Sequence, residues 1–303
     1  ALHYDLANLT YKHGKYQAFN IADPKPRNIH KATVRDRLLH HAIYKILYPF
    51  FDRTFIADSY SCRNEKGTHL ALDKFRSYLY KANKNYTRNC WILKCDIRKF
   101  FANIDHGILK NILAKYIPDQ NILWLLNRVI DSFSTSPNKG LPLGNLTSQL
   151  LVNVYMNELD QFMKHKLKAK YYLRYADDFA IVSNDKMWLQ NLVPLVADFL
   201  NQKLKLALHP NKVSITTIGS GVDFLGWVNF PDHKVLRTTT KRRMFKRMKE
   251  SSTPEPTLQS YLGLLRHGNT NKMRNSFLQV ASSLTKENTS DSLSQNRDQP
   301  SEG

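Results

Sequence analysis

The stretch YYLRYADDFAIV, residues 171–182, decides the fold because it contains two β-forming runs with a very short connection. Tyr171–Arg174 and Phe179–Ser183 are apolar and aromatic, as expected of neighbouring strands. A tight hairpin usually has Gly or Asn where φ turns positive, but here Asp177 stands beside Asp178. An isolated Asp-Asp pair favours an ordinary solvated turn, whereas the apolar flanks predict carboxylates held on a packed sheet.

A third carboxylate extends this pattern. Asp96 ends the apolar run WILKCD, which begins at Trp91 and has the length of a strand. If this strand lies beside the hairpin, Asp96, Asp177 and Asp178 converge at one edge of the sheet. Such hard oxygen donors suit Mg²⁺, with Mn²⁺ as an alternative ion. Two ions about 4 Å apart activate an attacking 3′-oxygen and stabilise leaving pyrophosphate, which is the chemistry of nucleotidyl transfer.

The composition favours a polyanionic partner. The 303 residues include 45 Lys and Arg against 25 Asp and Glu, which gives a formal charge of +20. Fifteen Phe, fifteen Tyr and four Trp exclude a disordered basic tail, and the length predicts sub-domains with a real core. Nucleic acid is the first expectation and an anionic membrane the second, while a merely soluble basic protein is the plain alternative.

The cysteines and the hydropathy predict a cytoplasmic location. Three cysteines without CxxC spacing argue against a disulfide framework or a structural zinc site. No apolar run approaches the roughly 18 residues of a membrane span, and no signal peptide is visible. The sequence leaves open whether an upstream segment has been removed.

Hydrophobic periodicity predicts helices around these strands. A capping box at Thr33 predicts a helix start, and a long amphipathic helix is predicted from Asn145. Further helices are predicted at 70–82, 106–135, 187–204, 258–265 and 273–284, and further strands at 213–217 and 222–228. The segment 237–249 has seven cations and no acid. The last eighteen residues are polar, which predicts a disordered tail over 286–303.

Together, these motifs resemble those of reverse transcriptases. Tyr175-Ala176-Asp177-Asp178 resembles the family's Tyr-x-Asp-Asp box, and Asp96 resembles its first catalytic aspartate. Similar segments are GLPLGNLTSQ at 140–149, HPNK at 209–212 and FLGW at 224–227, which resembles the primer grip. The resemblance implies an α+β right-hand polymerase. Fingers and palm would interleave over 1–232, with an antiparallel palm sheet backed by helices, and a short helical thumb would cover 233–285.

The resemblance also implies roles for individual residues. Asp96, Asp177 and Asp178 would hold two Mg²⁺ ions with the backbone carbonyl of Ile97, and Lys212 would protonate leaving pyrophosphate. The implied dNTP-binding residues are Lys25, Arg27, Ile97, Phe100, Phe101, Leu143, Gly144 and Gln149. The implied primer- and template-binding residues are Tyr175, Phe224, Leu225, Gly226, Trp227, Lys241, Arg242 and Arg243.

Two of these residues bear on substrate choice and accuracy. Phe101 would be the steric gate that selects dNTPs, because a rigid ring leaves no room for a ribose 2′-OH. A buried core phenylalanine is the alternative interpretation of Phe101. Leu143 stands where accurate retroviral enzymes have Gln, which implies low fidelity, particularly opposite template adenine.

Within the family, the 140–149 loop and Ser61-Cys62-Arg63 look most like the bacterial or phage-encoded enzymes of diversity-generating retroelements. Group II intron-type enzymes usually have Gln-Gly and Ser-Pro where this chain has Leu143-Gly144 and Ser148-Gln149. The implied activity is RNA-directed DNA polymerisation from a DNA or RNA primer, and a small basic accessory oligomer is an implied partner.

Three alternatives stay open. The first is a group II intron-like or phage-defence reverse transcriptase, and the second is an RNA-dependent RNA polymerase, against which Phe101 counts. The third is a catalytically silent RNA-binding scaffold, against which the intact Asp96, Asp177 and Asp178 count.

Overall fold

The computed structural model describes residues 2–22, 26–250 and 254–295. Lys25, one of the predicted dNTP-binding residues, therefore lies outside the described residues. The chain forms two compact units, Ala1–Thr216 and Thr217–Gly303. Both units contain helices and antiparallel strands, so the predicted α+β class is confirmed. None of the described helices is long and apolar enough to cross a membrane.

The first unit is organised around strands from distant parts of the chain. Its helices are α1 (Leu2–Ala7), α2 (Val34–Asp52), α3 (Thr68–Ala82), α4 (His106–Tyr116), α5 (Gln120–Asp131), α6 (Leu146–Gln161) and α7 (Lys186–Leu204). Its strands are β1 (Gln17–Ile21), β2 (Arg27–Lys31), β3 (Trp91–Asp96), β4 (Tyr171–Tyr175), β5 (Asp178–Ser183) and β6 (Ser214–Thr217), which ends at the unit boundary. β1 and β2 form a separate antiparallel hairpin.

A sheet in the order β4-β5-β3-β6 forms the centre of this unit. β5 pairs antiparallel with both β4 and β3, and Phe179 through Val182 are buried in succession. The predicted hairpin is therefore confirmed. α6 differs from the amphipathic helix predicted from Asn145, because α2, α4 and α7 all contact it and bury it on nearly every side.

Local signals define the helix ends. Thr33 caps α2 as predicted, since its Oγ1 accepts a hydrogen bond from the Asp36 amide at 3.2 Å. The stretch 106–135 forms two helices rather than one continuous helix. Ile117 is extended before Pro118, as proline requires, and the Asp119 carboxylate accepts the Ile122 amide at 3.0 Å to begin α5.

The second unit packs a small sheet with helices. It contains β7 (Val222–Phe224), β8 (Trp227–Asn229), β9 (Lys234–Leu236), α8 (Thr238–Glu250), α9 (Pro254–Leu265) and α10 (Asn271–Gln295). The prediction of one strand over 222–228 is wrong, because Leu225 and Gly226 have φ of 50° and 88° and reverse the chain. Trp227 is buried in this unit, and a Cβ on Gly268 would meet its ring at 2.2 Å.

The boundary predicted at residue 232, between fingers and palm on one side and a thumb over 233–285 on the other, stays a prediction. The compact second unit begins earlier, at Thr217, because strands β7 to β9 belong to one sheet. α10 continues to Gln295, into the segment predicted as a polar tail, and 296–303 lie outside the described residues.

Candidate active site

Strand register brings the three aspartates to one edge of the central sheet. Asp96, the last residue of β3, is the direct partner of Asp178, the first residue of β5. Tyr175 of β4 pairs with Asp178 from the other side, which leaves Ala176 and Asp177 as a two-residue turn. Side chains of directly opposite residues in antiparallel strands stand about 5 Å apart. The sequence therefore predicted this juxtaposition correctly.

The turn itself has an unfavourable backbone conformation. Ala176 has φ of 55°, in the left-handed region that glycine adopts freely and an L-residue adopts at a cost of about 1–2 kcal/mol. Such strain persists only where the surrounding structure imposes it. The support comes from Arg174, whose Nη1 donates to the Ala176 carbonyl oxygen at 3.0 Å.

Arg174 belongs to a fully buried ion pair beneath the turn. Its Nε and Nη2 donate to the two carboxylate oxygens of Asp160 on α6, at 2.8 and 2.6 Å, and both side chains are 0% exposed. The Tyr172 hydroxyl also donates to Asp160, at 2.7 Å. Burial, reinforced by the Asp160 charge, raises the pKa of Tyr172 well above its ordinary value. The turn is thus anchored to the core helix.

Sequence reasoning missed both members of this pair. The available signal was a single arginine inside an apolar strand and a single aspartate at the end of an apolar helix. Buried charges in such positions are expected to be paired with one another. Only the fold shows that Arg174 and Asp160 are partners and that Arg174 also reaches the turn.

The electrostatics indicate excess negative charge at this edge. The pKa of Asp177 is raised from 3.8 to about 6, first because burial penalises the charged carboxylate. Its own backbone amide lowers the pKa, the negative charges of Asp178 and Asp96 raise it, and Lys212 lowers it. A cation bound between these groups would relieve the repulsion.

Lys212 is brought to the site by backbone pairing. The Asp96 carbonyl accepts the His209 amide at 2.8 Å, Ile97 forms a bridge with Leu208, and Lys212 follows in a tight turn. Lys212 Nζ then lies 2.9 Å from Asp96 Oδ2. Asp96 is 8% exposed, so this lysine neutralises a largely buried carboxylate.

The donor set suits a hard divalent cation, although it is not arranged as a complete site. Within the described residues, no three His, Cys, Asp or Glu side chains are grouped as metal ligands. The acidic side chains at this edge are hard oxygen donors, which fit Mg²⁺ rather than a softer metal. Lys212 on Asp96 and the raised pKa of Asp177 both indicate a position where positive charge is stabilised.

The predicted steric gate is linked to the predicted nucleotide loop. Phe100 is buried, whereas Phe101 is only partly buried, which leaves part of its ring accessible. The Phe101 carbonyl accepts the Leu141 amide at 2.9 Å, and the Ile104 carbonyl accepts the Gly140 amide at 2.8 Å. The predicted gate and the loop are therefore joined by backbone hydrogen bonds.

The same loop is fastened to β2. The Leu143 carbonyl accepts the His30 amide at 3.0 Å, and Asn145 Nδ2 donates to the His30 carbonyl at 2.8 Å. Gly144 has φ of 99°, and a Cβ there would lie 2.7 Å from Ile29 Cγ2. The loop thus needs glycine at its contact with β2.

Two further predicted dNTP-binding residues lie on elements next to the loop, β2 and α6. Arg27 is exposed at the start of β2, the strand to which the loop is hydrogen-bonded through His30. Gln149 is partly buried on α6.

The predicted primer- and template-binding residues lie in both units. Tyr175 ends β4, where its hydroxyl accepts a hydrogen bond from Thr68 Oγ1 at 3.1 Å. In the second unit, Phe224 and Trp227 are buried in the core of that unit, and the more accessible Leu225 and Gly226 form the turn between them.

The cations predicted on the thumb lie on α8. Met244 and Met248 bury one side of this helix. Arg242 is exposed, and Lys241 and Arg243 are partly buried. The exposed cations of α8 are Arg242, Lys246, Arg247 and Lys249, whereas Met244 and Met248 are buried.

Comparisons with known proteins agree with this geometry. Residues 15–229 match the family described as reverse transcriptase (RNA-dependent DNA polymerase). Protein YkfC of Escherichia coli is 25% identical over 73% of this chain and 65% of its own length. The group II intron-encoded protein LtrA of Lactococcus lactis is 25% identical over 73% of this chain and 47% of its own length. The match to this chain therefore spans less than two thirds of the length of each of these relatives.

Solved structures show the same fold at low identity. Apo telomerase from Candida tropicalis aligns with a TM-score of 0.57 and 13% identity, covering 96% of this chain and 60% of the telomerase chain. Telomerase from Candida albicans, in complex with a fragment of telomeric RNA, aligns with a TM-score of 0.57 and 10% identity, covering 92% of this chain and 58% of that chain. Since the family match covers most of the sequence, the chain belongs to the reverse transcriptase family.

Proposed function

We propose that this chain is an RNA-directed DNA polymerase that extends a primer 3′-OH with dNTPs on an RNA template. The observation that carries the proposal is the register pair of Asp96 and Asp178 with Asp177 in the adjoining turn, inside the matched family region. The chemistry that two bound Mg²⁺ ions would supply there is activation of the 3′-oxygen and stabilisation of leaving pyrophosphate. Asp96, Asp177 and Asp178 would hold them, together with the carbonyl of Ile97.

The neighbouring side chains support substrate selection and proton transfer. Lys212, already 2.9 Å from Asp96, is the proposed proton donor to pyrophosphate. Phe101 is the proposed gate against a ribose 2′-OH, and its carbonyl ties it to the nucleotide loop. Lys25 and Arg27 are the proposed triphosphate contacts, because arginine can form paired hydrogen bonds with phosphate oxygens.

Primer extension on an RNA template tests this proposal. We expect the double change Asp177→Ala and Asp178→Ala to lower extension about a thousandfold or more, which corresponds to about 4 kcal/mol of lost transition-state stabilisation. Asp131→Ala is the matched control, since Asp131 pairs with Lys110 at the surface and its side chain is 51% exposed. Extension that survives the double change would overturn the mechanism and support a silent RNA-binding scaffold.

Within this activity, we propose the error-prone type found in diversity-generating retroelements. The support is Leu143, an aliphatic side chain in the loop held by His30. The similarity to LtrA favours a second candidate, a group II intron-type enzyme. Sequencing cDNA made by the purified chain distinguishes them, because errors concentrated at template adenines support the first and uniformly low error supports the second. The proposed location is the cytoplasm, and the first type implies a small basic accessory oligomer as partner.

A further inference from the structure

Helix α2 has a solvent-facing apolar ridge that nucleotidyl transfer does not require. Large apolar side chains recur at multiples of four residues, at Val34, Leu38, Ile46 and Phe50. Ala42 fills the remaining position of this series. Their exposed fractions are 74%, 65%, 70% and 46% in that order. Single exposed apolar residues need no explanation, but a continuous exposed apolar row marks an interaction surface. These five residues are called the α2 ridge.

A row of cationic or titratable residues accompanies the α2 ridge with the same spacing. Arg37, His41 and Lys45 are exposed at four-residue intervals. The two acids of α2 are directed elsewhere: Asp36 is fully buried, and the Asp52 carboxylate accepts a hydrogen bond from Arg63 Nε at 2.7 Å. The exposed side of α2 is therefore apolar along one row and basic along the next.

The remaining surface of α2 restricts what can cover this ridge. Leu39, Ile43 and Phe51 are buried in the core of the unit, so the helix cannot turn a broad apolar half toward lipid. Four of the five ridge side chains are aliphatic and lack the π faces on which nucleic-acid bases stack, and the one aromatic ring, Phe50, packs edge-to-face with Phe51 and Tyr116. A narrow row at four-residue spacing has the form that fits into the groove of another helix.

We propose that the α2 ridge docks an amphipathic helix of a partner protein, with its apolar side chains between Leu38 and Ile46 and its acidic side chains against Arg37 and Lys45. We expect acidic side chains along the edge of the partner helix because of charge complementarity: α2 offers exposed cations and no exposed carboxylate in this region. Helix-in-groove recognition of this kind reads apolar anchors at helical spacing and gains specificity from flanking charges. This chemistry excludes a basic helix at the same surface.

Two designed helical peptides of about 18 residues, or five turns, test the proposal. Both have the same leucine face, and their flanking positions are glutamate in one and lysine in the other. Fluorescence anisotropy should show that the full chain binds the glutamate peptide and not the lysine peptide. Leu38→Glu and Ile46→Glu should each weaken this binding at least tenfold, whereas Met187→Glu, at a 65% exposed position on α7, should leave it unchanged.

A charge reversal makes the test specific. The double change Arg37→Glu and Lys45→Glu should lose the glutamate peptide and gain the lysine peptide, while primer extension stays at the parent level. Equal binding of both peptides, or no binding of the glutamate peptide, would overturn the proposal. Two other results would also overturn it: binding of the chain to phosphatidylserine vesicles, or self-association in sedimentation velocity. Either counts if Leu38→Glu abolishes that interaction while the glutamate peptide does not bind.

Discussion

Two hairpins in this chain, β4–β5 in the first unit and β7–β8 in the second, close with two-residue turns of different chemistry. In the first, Ala176 takes φ of 55° beside two aspartates. In the second, Leu225 and Gly226 take φ of 50° and 88° between the buried rings of Phe224 and Trp227. The first turn thus presents charge at a sheet edge, whereas the second is closed by apolar side chains.

The supports of the two turns differ in burial. Arg174 reaches the Ala176 carbonyl from an ion pair whose members are both 0% exposed. The corresponding pair at the second hairpin, Arg237 with Asp223, has side chains that are 31% and 45% exposed. The turn that carries the proposed catalytic carboxylates is therefore held by buried charge, while the turn of the second hairpin uses glycine and surface pairing.

The largest expected effect comes from removing the buried support. Arg174→Met should lower the free energy of unfolding by about 3–5 kcal/mol, because Asp160 is left in the core without its countercharge. Arg237→Met should lower it by at most about 1 kcal/mol, because its pair is exposed to solvent. Chemical denaturation measures both, and equal losses would erase the contrast between the hairpins.

A double variant separates the stabilising role of Arg174 from its positioning role. Combining Arg174→Met with Asp160→Met removes both charges and should recover part of the lost stability. Primer extension should stay low, because the Ala176 carbonyl still lacks its donor and the turn loses its constraint. Recovery of both stability and activity would show that Arg174 acts only through folding.

An effect of intermediate size is expected at Asp177, where one substitution should raise stability and abolish activity. Without divalent ions at pH 8, Asp177→Asn should raise the free energy of unfolding by about 1–2 kcal/mol, since the folded state then no longer holds a partly buried charge. Because its pKa is raised from 3.8 to about 6, the parent chain loses this stability as the pH rises from 4 to 6. At pH 4 the two proteins should be equally stable, while the variant loses activity at every pH.

Asp223→Asn is the matched control for this prediction. Asp223 accepts a hydrogen bond from Arg237 Nε at 2.9 Å, so its replacement removes a favourable interaction. It should not raise stability at pH 8. A stabilisation equal to that of Asp177→Asn would contradict the assignment of excess negative charge to the first hairpin.

The smallest expected effect concerns the backbone of the two turns. Gly226→Ala should cost about 1 kcal/mol, the penalty of a left-handed conformation for an L-residue. An added Cβ at Gly226 meets no atom within 4 Å, so the cost is conformational and not steric. Ala176→Gly should stay within about 0.5 kcal/mol of the parent, because relief of strain offsets the greater entropy of glycine in the unfolded chain. Thermal unfolding at several denaturant concentrations resolves these values.

Part of the architecture was predictable because its signals are local. The strands around 171–183, the run ending at Asp96 and the cap at Thr33 follow from alternation, apolar composition and side-chain capping within a few residues. The hairpin at 222–228 was missed because its apolar run hides a two-residue turn. The burial of α6 on nearly all sides was missed because it depends on α2, α4 and α7, which are remote in sequence.

By itself, the sequence determined the family motifs, the acids and the strand-turn-strand pattern that carries two of them, because residue order and periodicity are sufficient for these. The tertiary structure alone decided the register in which the predicted neighbours Asp96 and Asp178 pair directly, that Lys212 neutralises Asp96, and that Arg174 with Asp160 supports the turn. It also decided which face of α2 remains exposed. The physical reason is that pairing of buried charges and exclusion from the core depend on neighbours far apart along the chain.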